Sequence, residues 1–310
     1  MKKIIITALI VSTGFSGFAQ GFYLRLGVGY AVPEAGQTMD GTGTPYNGSL
    51  AYPTSSANYP QNYNIKNASF SAGFQGMLGL GYMFTDHVGI QLDANAGLST
   101  KKYTFDIQNA NLGTSVYGDY SVIQQAKSPF IVSPSLVLQT GGAPWNIYAR
   151  MGLAVPVSTK ITEDQVATTG AGTAGYDIQD ISYQIKNSFS LGFVAAAGVQ
   201  YKLNDRVSIF GEVSLLSMSV FIKQSTLTAA SQVSASGSQS YAPSSLGVPV
   251  VVNYSKKASA DSAGDQQAAY SQPFSNIGFN FGLVFRLGDQ SRNKGRRNED
   301  IDETKPYRRH

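Results

Sequence analysis

Six charged side chains are spaced so that they could meet: Arg25, Asp93, Arg150, Lys202, Glu212 and Arg286. Each lies in a run where large apolar residues alternate with small or polar ones, and each stands on the polar side of its run. Asp93 follows Asp86 of the turn Thr85-Asp86-His87 by seven residues, and Glu212 follows Asp205 of the turn 203–206 by the same offset. Guanidinium and carboxylate groups pair through short, charge-assisted hydrogen bonds. Buried alone, such groups are costly, so the set reads as one ion-pair network. That network either plugs the space it fills or forms a rearrangeable gate along a narrow pore.

Other chemistry finds little support. The chain has no cysteine and only two histidines, His87 and His310. A thiolate or imidazole metal site is therefore not expected, and no constellation suggests general-base catalysis. "GVGYAV" (27–32) and "GLGYMF" (79–84) hold glycines but no complete nucleotide-binding motif and no following helix. No cofactor is expected. The pI near 9.0 invites a nucleic-acid reading, but the basic excess sits at the ends. Setting aside Lys2, Lys3 and the seven Lys/Arg and five Asp/Glu of residues 288–310 from totals of 23 and 19 leaves 14 of each sign in residues 20–287. A neutral body offers no footprint for nucleic acid.

The elements that must position these charges are strands. Period-2 alternation dominates and helical periodicity is absent. Eight segments carry it, at 21–31, 70–84, 88–99, 128–139, 145–157, 187–202, 207–222 and 276–287. In the first, Phe22, Leu24, Leu26, Val28 and Tyr30 share one face, and Tyr23, Arg25, Gly27 and Gly29 the other. The connections at 85–87, 140–144 and 203–206 are tight. Those at 32–67, 100–127, 158–186 and 223–275 are long, polar and poor in core residues, which a compact soluble domain rarely tolerates. Residues 1–19 read as a signal peptide, with basic Lys2 and Lys3, an apolar run and a small-residue site at Ala19. No later stretch supplies the about 20 apolar residues of a membrane helix. Charged residues are 14% of the chain, against roughly 25% in soluble domains.

Short turns at one end and long loops at the other are the pattern of a transmembrane barrel. The expected fold is all-β: an antiparallel up-and-down transmembrane β-barrel of eight strands over residues 20–288, with four long extracellular loops and three short periplasmic turns. The six charges then point inward, along with glycines such as Gly27, Gly79 and Gly198, which either leave room for water or let the strands curve. Arg25 and Arg150 on strands one and five, with Asp93 and Glu212 on strands three and seven, suggest an internal two-fold.

The signal peptide, "GLGYMFTDHVGIQLDA" (79–94), "GVQYKLNDRVSIFGEV" (198–213) and the closing "NIGFNFGLVFRLG" (276–288) resemble the OmpA/OmpX-type outer-membrane barrels of Gram-negative bacteria. The resemblance implies residence in the outer membrane, both termini in the periplasm, and recognition of the final strand's Phe279, Phe281, Leu283 and Phe285 by the assembly machinery. Residues 289–310 are expected to form a charged, disordered periplasmic tail, too short for the peptidoglycan-binding domain of full-length OmpA-type proteins. "GVPVVVNYSK" (247–256) leaves open a strand above the membrane or a ten-stranded barrel.

Two further residue sets follow. Lys66, Lys101, Lys102, Lys127, Lys160, Lys186 and Lys223 gather near the long-loop ends of the strands. They either form a broken ring facing lipopolysaccharide phosphates or mark the water boundary. Tyr82, Phe84, Trp145, Tyr201 and Phe285 fall at the short-turn interface, and Phe70, Tyr103, Phe130, Phe189 and Phe221 toward the other, as aromatic girdles do. The functional expectation is a non-enzymatic structural or surface-interaction protein whose loops meet an unidentified partner, with outer-membrane lipid around the barrel. The alternative is a narrow pore or small-solute channel. Small outer-membrane barrels that act as enzymes generally use a histidine near the outer mouth, which this chain lacks.

Overall fold

The computed structural model describes residues 21–34, 37–43, 64–99, 101–113, 116–170, 177–234, 236–242, 249–255 and 265–287. The expected signal peptide, the tail and His310 lie outside them. In chain order the strands are β1 (Phe22–Pro33), β2 (Gln37–Gly43), β3 (Asn64–Asn67), β4 (Gly73–Met83), β5 (Val88–Gly97), β6 (Lys102–Gly113) and β7 (Val116–Gln139). There follow β8 (Trp145–Thr169), β9 (Asp177–Asn187), β10 (Gly192–Lys202), β11 (Val207–Ser217) and β12 (Ser219–Ser234). The last are β13 (Gly237–Tyr241), β14 (Val251–Ser255), β15 (Gln266–Ala268), β16 (Ser271–Pro273) and β17 (Asn276–Arg286).

Eight of these close a barrel in the order β1-β4-β5-β7-β8-β10-β11-β17, and β17 returns to β1 through eleven antiparallel rungs from Tyr23↔Arg286 to Pro33↔Asn276. Closure pairs every edge, as a membrane interior demands. Alternation along the strands sets the two surfaces. Outward residues such as Phe74, Ile147 and Phe281 are 61–63% exposed, and Leu80, Leu92, Met151 and Val213 stand in the same band. Inward residues include Tyr23, Arg25, Asp93, Tyr148, Arg150 and Glu212, all buried.

Side-chain oxygens shape the tight turns. Thr85 Oγ1 accepts from the His87 and Val88 amides, and Asn204 Oδ1 accepts from those of Arg206 and Val207. In each, one polar residue replaces a strand partner for two backbone donors. This holds Asp93 and Glu212 at the same height above their turns.

The long connections differ from the expectation. Much of 100–127, 158–186 and 223–234 is not weakly structured loop but sheet: β7 and β8 run 24 and 25 residues, far past the band of outward apolar residues. Beyond the barrel they pair with β6 and β9, and β9 pairs with β12, giving an antiparallel extension ordered β6-β7-β8-β9-β12. β13 and β14 add to the β12 edge. Residues 251–255 are therefore a strand of the extension, and the ten-stranded alternative gives way to eight. The junctions are irregular. The β7–β8 register shifts between Lys127 and Phe130, beside Ser128 at φ 38°, and the expected strand 207–222 breaks at Met218, whose side chain turns into the core.

Two apolar layers fill the interior. Tyr23, Met77, Tyr148, Phe210 and Val284 form the one nearer the short turns. A larger layer at the long-strand mouth includes Phe70, Tyr103, Ile161, Ile185, Met218, Val220 and Phe274. Here too the reading of Phe70 and Tyr103 as outward girdle residues is overturned. Gly73, at φ 108°, ends the alternation of β4, and Phe70 swings inward against the Tyr103 ring at 5.3 Å. Positive φ at that junction suits glycine.

Candidate functional site

The site is the middle of the lumen, below the mouth layer and interleaved with the residues of the smaller one. Arg25, Asp93, Arg150 and Glu212 meet there, drawn from β1, β5, β8 and β11. Arg25 Nη2 lies 2.6 Å from Glu212 Oε2, Arg150 Nη2 2.8 Å from Glu212 Oε1, and Arg150 Nη1 2.9 Å from Asp93 Oδ2. Arg150 Nε adds a bond to Glu212 Oε2 at 3.2 Å. These side chains are at most 2% exposed. Two arginines and two carboxylates cancel, which is the condition for holding four charges in a low-dielectric core.

Neutral groups complete the set. Tyr148 Oη accepts from Arg25 and donates to Glu212, and Asn280 Nδ2 donates to Glu212 Oε1. Tyr23 donates to Gln91, whose amide donates to Asp93 Oδ1 at 2.6 Å. The Arg25 guanidinium sits 3.8 Å from the Phe210 ring centroid, a cation–π contact. None of Tyr23, Gln91, Tyr148, Phe210 and Asn280 was singled out as a network member from sequence. Strand parity was the available signal: Tyr148 and Arg150 share a face, and Asn280 lies between outward Phe279 and Phe281.

The inward glycines make this packing possible. Arg25, Gly79 and Asp93 occupy one rung of β1-β4-β5, and Tyr148, Gly198 and Glu212 one rung of β8-β10-β11. A Cβ on Gly79 would lie 2.5 Å from Asp93 Oδ1, and one on Gly198 2.7 Å from both Tyr148 Oη and Glu212 Cβ. The space above these two glycines is taken by the network, not left for water. The expected two-fold fails in register and in pairing. Arg25 shares its rung with Asp93, but Tyr148 rather than Arg150 shares that of Glu212, Arg150 lying on the rung of Ala196 and Ser214. Glu212 binds both arginines, whereas Asp93 binds only Arg150. Over the network, a cavity of about 30 Å³ is bordered by Ser133, Ser214, Asn276 and Asn280.

Lys202 and Arg286 have inward parity but stand apart from the network, because they close their strands at the short-turn end. Lys202 pairs with turn residue Asp205 at 2.7 Å. Arg286 is half-buried and joins no ion pair among the described residues. At the same end Trp145 packs tilted against Tyr201 at 4.7 Å, and Tyr82 lies between Phe22 and Phe84 at 4.8 and 5.4 Å. Phe285 is half-buried there, opposite Leu24 and Val207. His87 also lies at this end, its Nδ1 3.1 Å from the Gln139 carbonyl. At the long-strand boundary Lys102, Lys127, Lys160, Lys186 and Lys223 are exposed on β6, β7, β8, β9 and β12. Lys66 is exposed on β3, and Lys101 is half-buried just before β6. No group of three or more metal-ligating side chains occurs among the described residues.

A closed antiparallel barrel, apolar outside and charged within, defines a transmembrane β-barrel. No protein-family model and no curated protein matches this chain. Among solved structures it is similar to the outer membrane protein OprG from Pseudomonas aeruginosa, with 12% identity and a TM-score of 0.43 over 87% of this chain and 97% of that one. It is also similar to CarO2 of Acinetobacter baumannii, with 12% identity and a TM-score of 0.30 over 86% and 99%.

Proposed function

We propose that this chain is a non-enzymatic outer-membrane protein whose barrel is a closed anchor and whose sheet is presented at the cell surface. The observation that carries this reading is the length of β7 and β8. A barrel strand crosses a bilayer in about 9–11 residues, so more than half of each of these 24- and 25-residue strands stands outside it. The extension they build is the surface a partner would meet. The start of β1 and the end of β17 lie at the opposite end, with the short turns, which on this reading faces the periplasm. The closing strand β17, with outward Phe279, Phe281 and Leu283, is the segment offered to the assembly machinery. Among the described residues the one histidine, His87, sits among the short turns rather than near the long-strand mouth.

A narrow channel is the second reading, favoured by the small cavity over Arg150, which serines and asparagines share with apolar side chains. The apolar mouth layer above that cavity and the paired charges below it weigh against conduction.

Because the chain lacks cysteine, sidedness can be read cleanly from single-cysteine variants. On intact cells, Ser240→Cys in β13 should react with a membrane-impermeant maleimide, and Asp86→Cys in the first turn only after permeabilisation. Labelling of Asp86→Cys with protection of Ser240→Cys would reject surface display of the sheet.

A further inference from the structure

Five lysines lie on five neighbouring strands at one level, and each is held outward by the residue beside it. Tyr103, Ala126, Ile161, Ile185 and Ile222 are buried in the mouth layer. Their chain neighbours Lys102, Lys127, Lys160, Lys186 and Lys223 therefore point the other way, and all five are exposed. Strand register brings the lysines together. Lys127 is opposite Lys160 across β7–β8, and Ile161↔Ile185 places Lys160 and Lys186 on the next rung of β8–β9. Lys186 is opposite Gln224, beside Lys223 at a β12 bulge, and Lys102 is opposite Gln125, two residues from Lys127.

Like charges directly opposite each other destabilise a sheet, and no ion pair relieves these five among the described residues. The nearby carboxylates of Asp106 and Asp164 are instead engaged by Ser121 and Ser182 hydroxyls. The arrangement is also one-sided: β1, β4, β5, β11 and β17 contain no lysine. Just below the arc, three residues toward the barrel, Val157 and Phe189 are 63% and 75% exposed. Three residues of strand span about 10 Å, so the ammonium groups stand one headgroup layer above the apolar band. Neighbouring strands are about 4.8 Å apart, which spreads the arc over roughly 19 Å.

We infer that this arc on β6-β7-β8-β9-β12 binds a multiply phosphorylated lipid headgroup of the outer leaflet. The site takes a phosphate ester on a membrane lipid, held by lysine point charges. Lys66 and Lys101 fall outside it, so the expected ring becomes an arc. The inference rests on the membrane reading above.

The test uses the folded barrel in phosphatidylcholine vesicles containing diphosphorylated lipid A, monophosphorylated lipid A or the dephosphorylated glycolipid, with native mass spectrometry of the extracted complexes. Wild-type protein should retain the diphosphorylated lipid best and the dephosphorylated one least. The variant K127Q/K160Q/K186Q should lose about tenfold or more of that retention, while K66Q/K101Q changes it less than about twofold. Equal retention by the triple variant and wild type overturns the inference, as does an equal loss in K66Q/K101Q. Displacement of the lipid by equimolar inorganic pyrophosphate would show a free-phosphate site instead. Failure of wild type to enter neutral vesicles, read from its heat-modifiable gel mobility, would remove the membrane reading itself.

Discussion

Replacing Glu212 with Gln keeps the shape of the side chain and removes its charge. Five hydrogen bonds converge on this carboxylate, from Arg25 Nη2, Arg150 Nε and Nη2, Tyr148 Oη and Asn280 Nδ2. After the substitution Arg150 retains the Asp93 carboxylate, but Arg25 keeps only neutral partners, among them Tyr148 Oη at 2.9 Å and the Phe210 face. One buried cation is left uncompensated, at a cost of about 3–5 kcal/mol. Asp93→Asn should cost less, about 1–3 kcal/mol, because Arg150 still reaches both oxygens of Glu212. The double variant Arg25→Met with Glu212→Gln restores neutrality and leaves the Arg150–Asp93 pair intact. It should recover to within about 2 kcal/mol of wild type, since a buried pair exchanged for neutral groups is often close to neutral. Urea unfolding in thin bilayers, followed by gel mobility, measures all three. A Glu212→Gln loss below about 1 kcal/mol, or a double variant no better than the single one, would refute a buried and balanced network.

Three further outcomes are expected. Gly79→Ala drives a methyl group into Asp93 and should cost about 1–3 kcal/mol. Gly211→Ala, with nothing within 4 Å of the new Cβ, should stay within about 0.5 kcal/mol; equal losses would contradict the packing role of Gly79. Trp145 is the single tryptophan and is 61% exposed at the short-turn end of the band. Its fluorescence should be quenched more by lipids brominated near the headgroup than at the chain ends, and deeper quenching by chain-end bromines would misplace the band. In the extension, burial and then the nearby Asp164 carboxylate raise the Asp180 pKa. A carboxyl group raised on folding favours the protonated form, so its effect on sheet stability improves as pH falls through the carboxylate range and worsens as pH rises above it. Carbon-13 NMR titration should find Asp180 above its ordinary value and moved back down by Asp164→Asn. An unmoved midpoint would exclude the pairing.

The barrel was legible in the sequence because a membrane strand has one lipid-facing side. Phe22, Leu24, Leu26, Val28 and Tyr30 alternate without a break, and β1 follows them closely. The charge network was legible for the same reason, since strand parity and the turn offsets place Asp93 and Glu212 inside. The extension was not. In "STKITEDQVATT" (158–169) the residues suit a strand, but hydroxyl and amide groups populate both faces and no long apolar stripe marks it. Its strand character comes from pairing with β7, some 30–50 residues earlier, and with β9, the next strand in the chain, on its other edge. Lys202 and Arg286 show the other limit: parity says which way a side chain points, not how far along the barrel it sits. Phe70 shows a third, because one glycine at positive φ cancels the parity of everything before it.

The most direct test of a sealed lumen is single-channel current through the folded, signal-free protein in a planar bilayer, with Glu212→Gln and Arg150→Ala recorded beside it. The account predicts a silent wild type whose folded state is confirmed by its gel mobility. A stable wild-type conductance that changes with either substitution would contradict it, because the four buried charges would then line a pore.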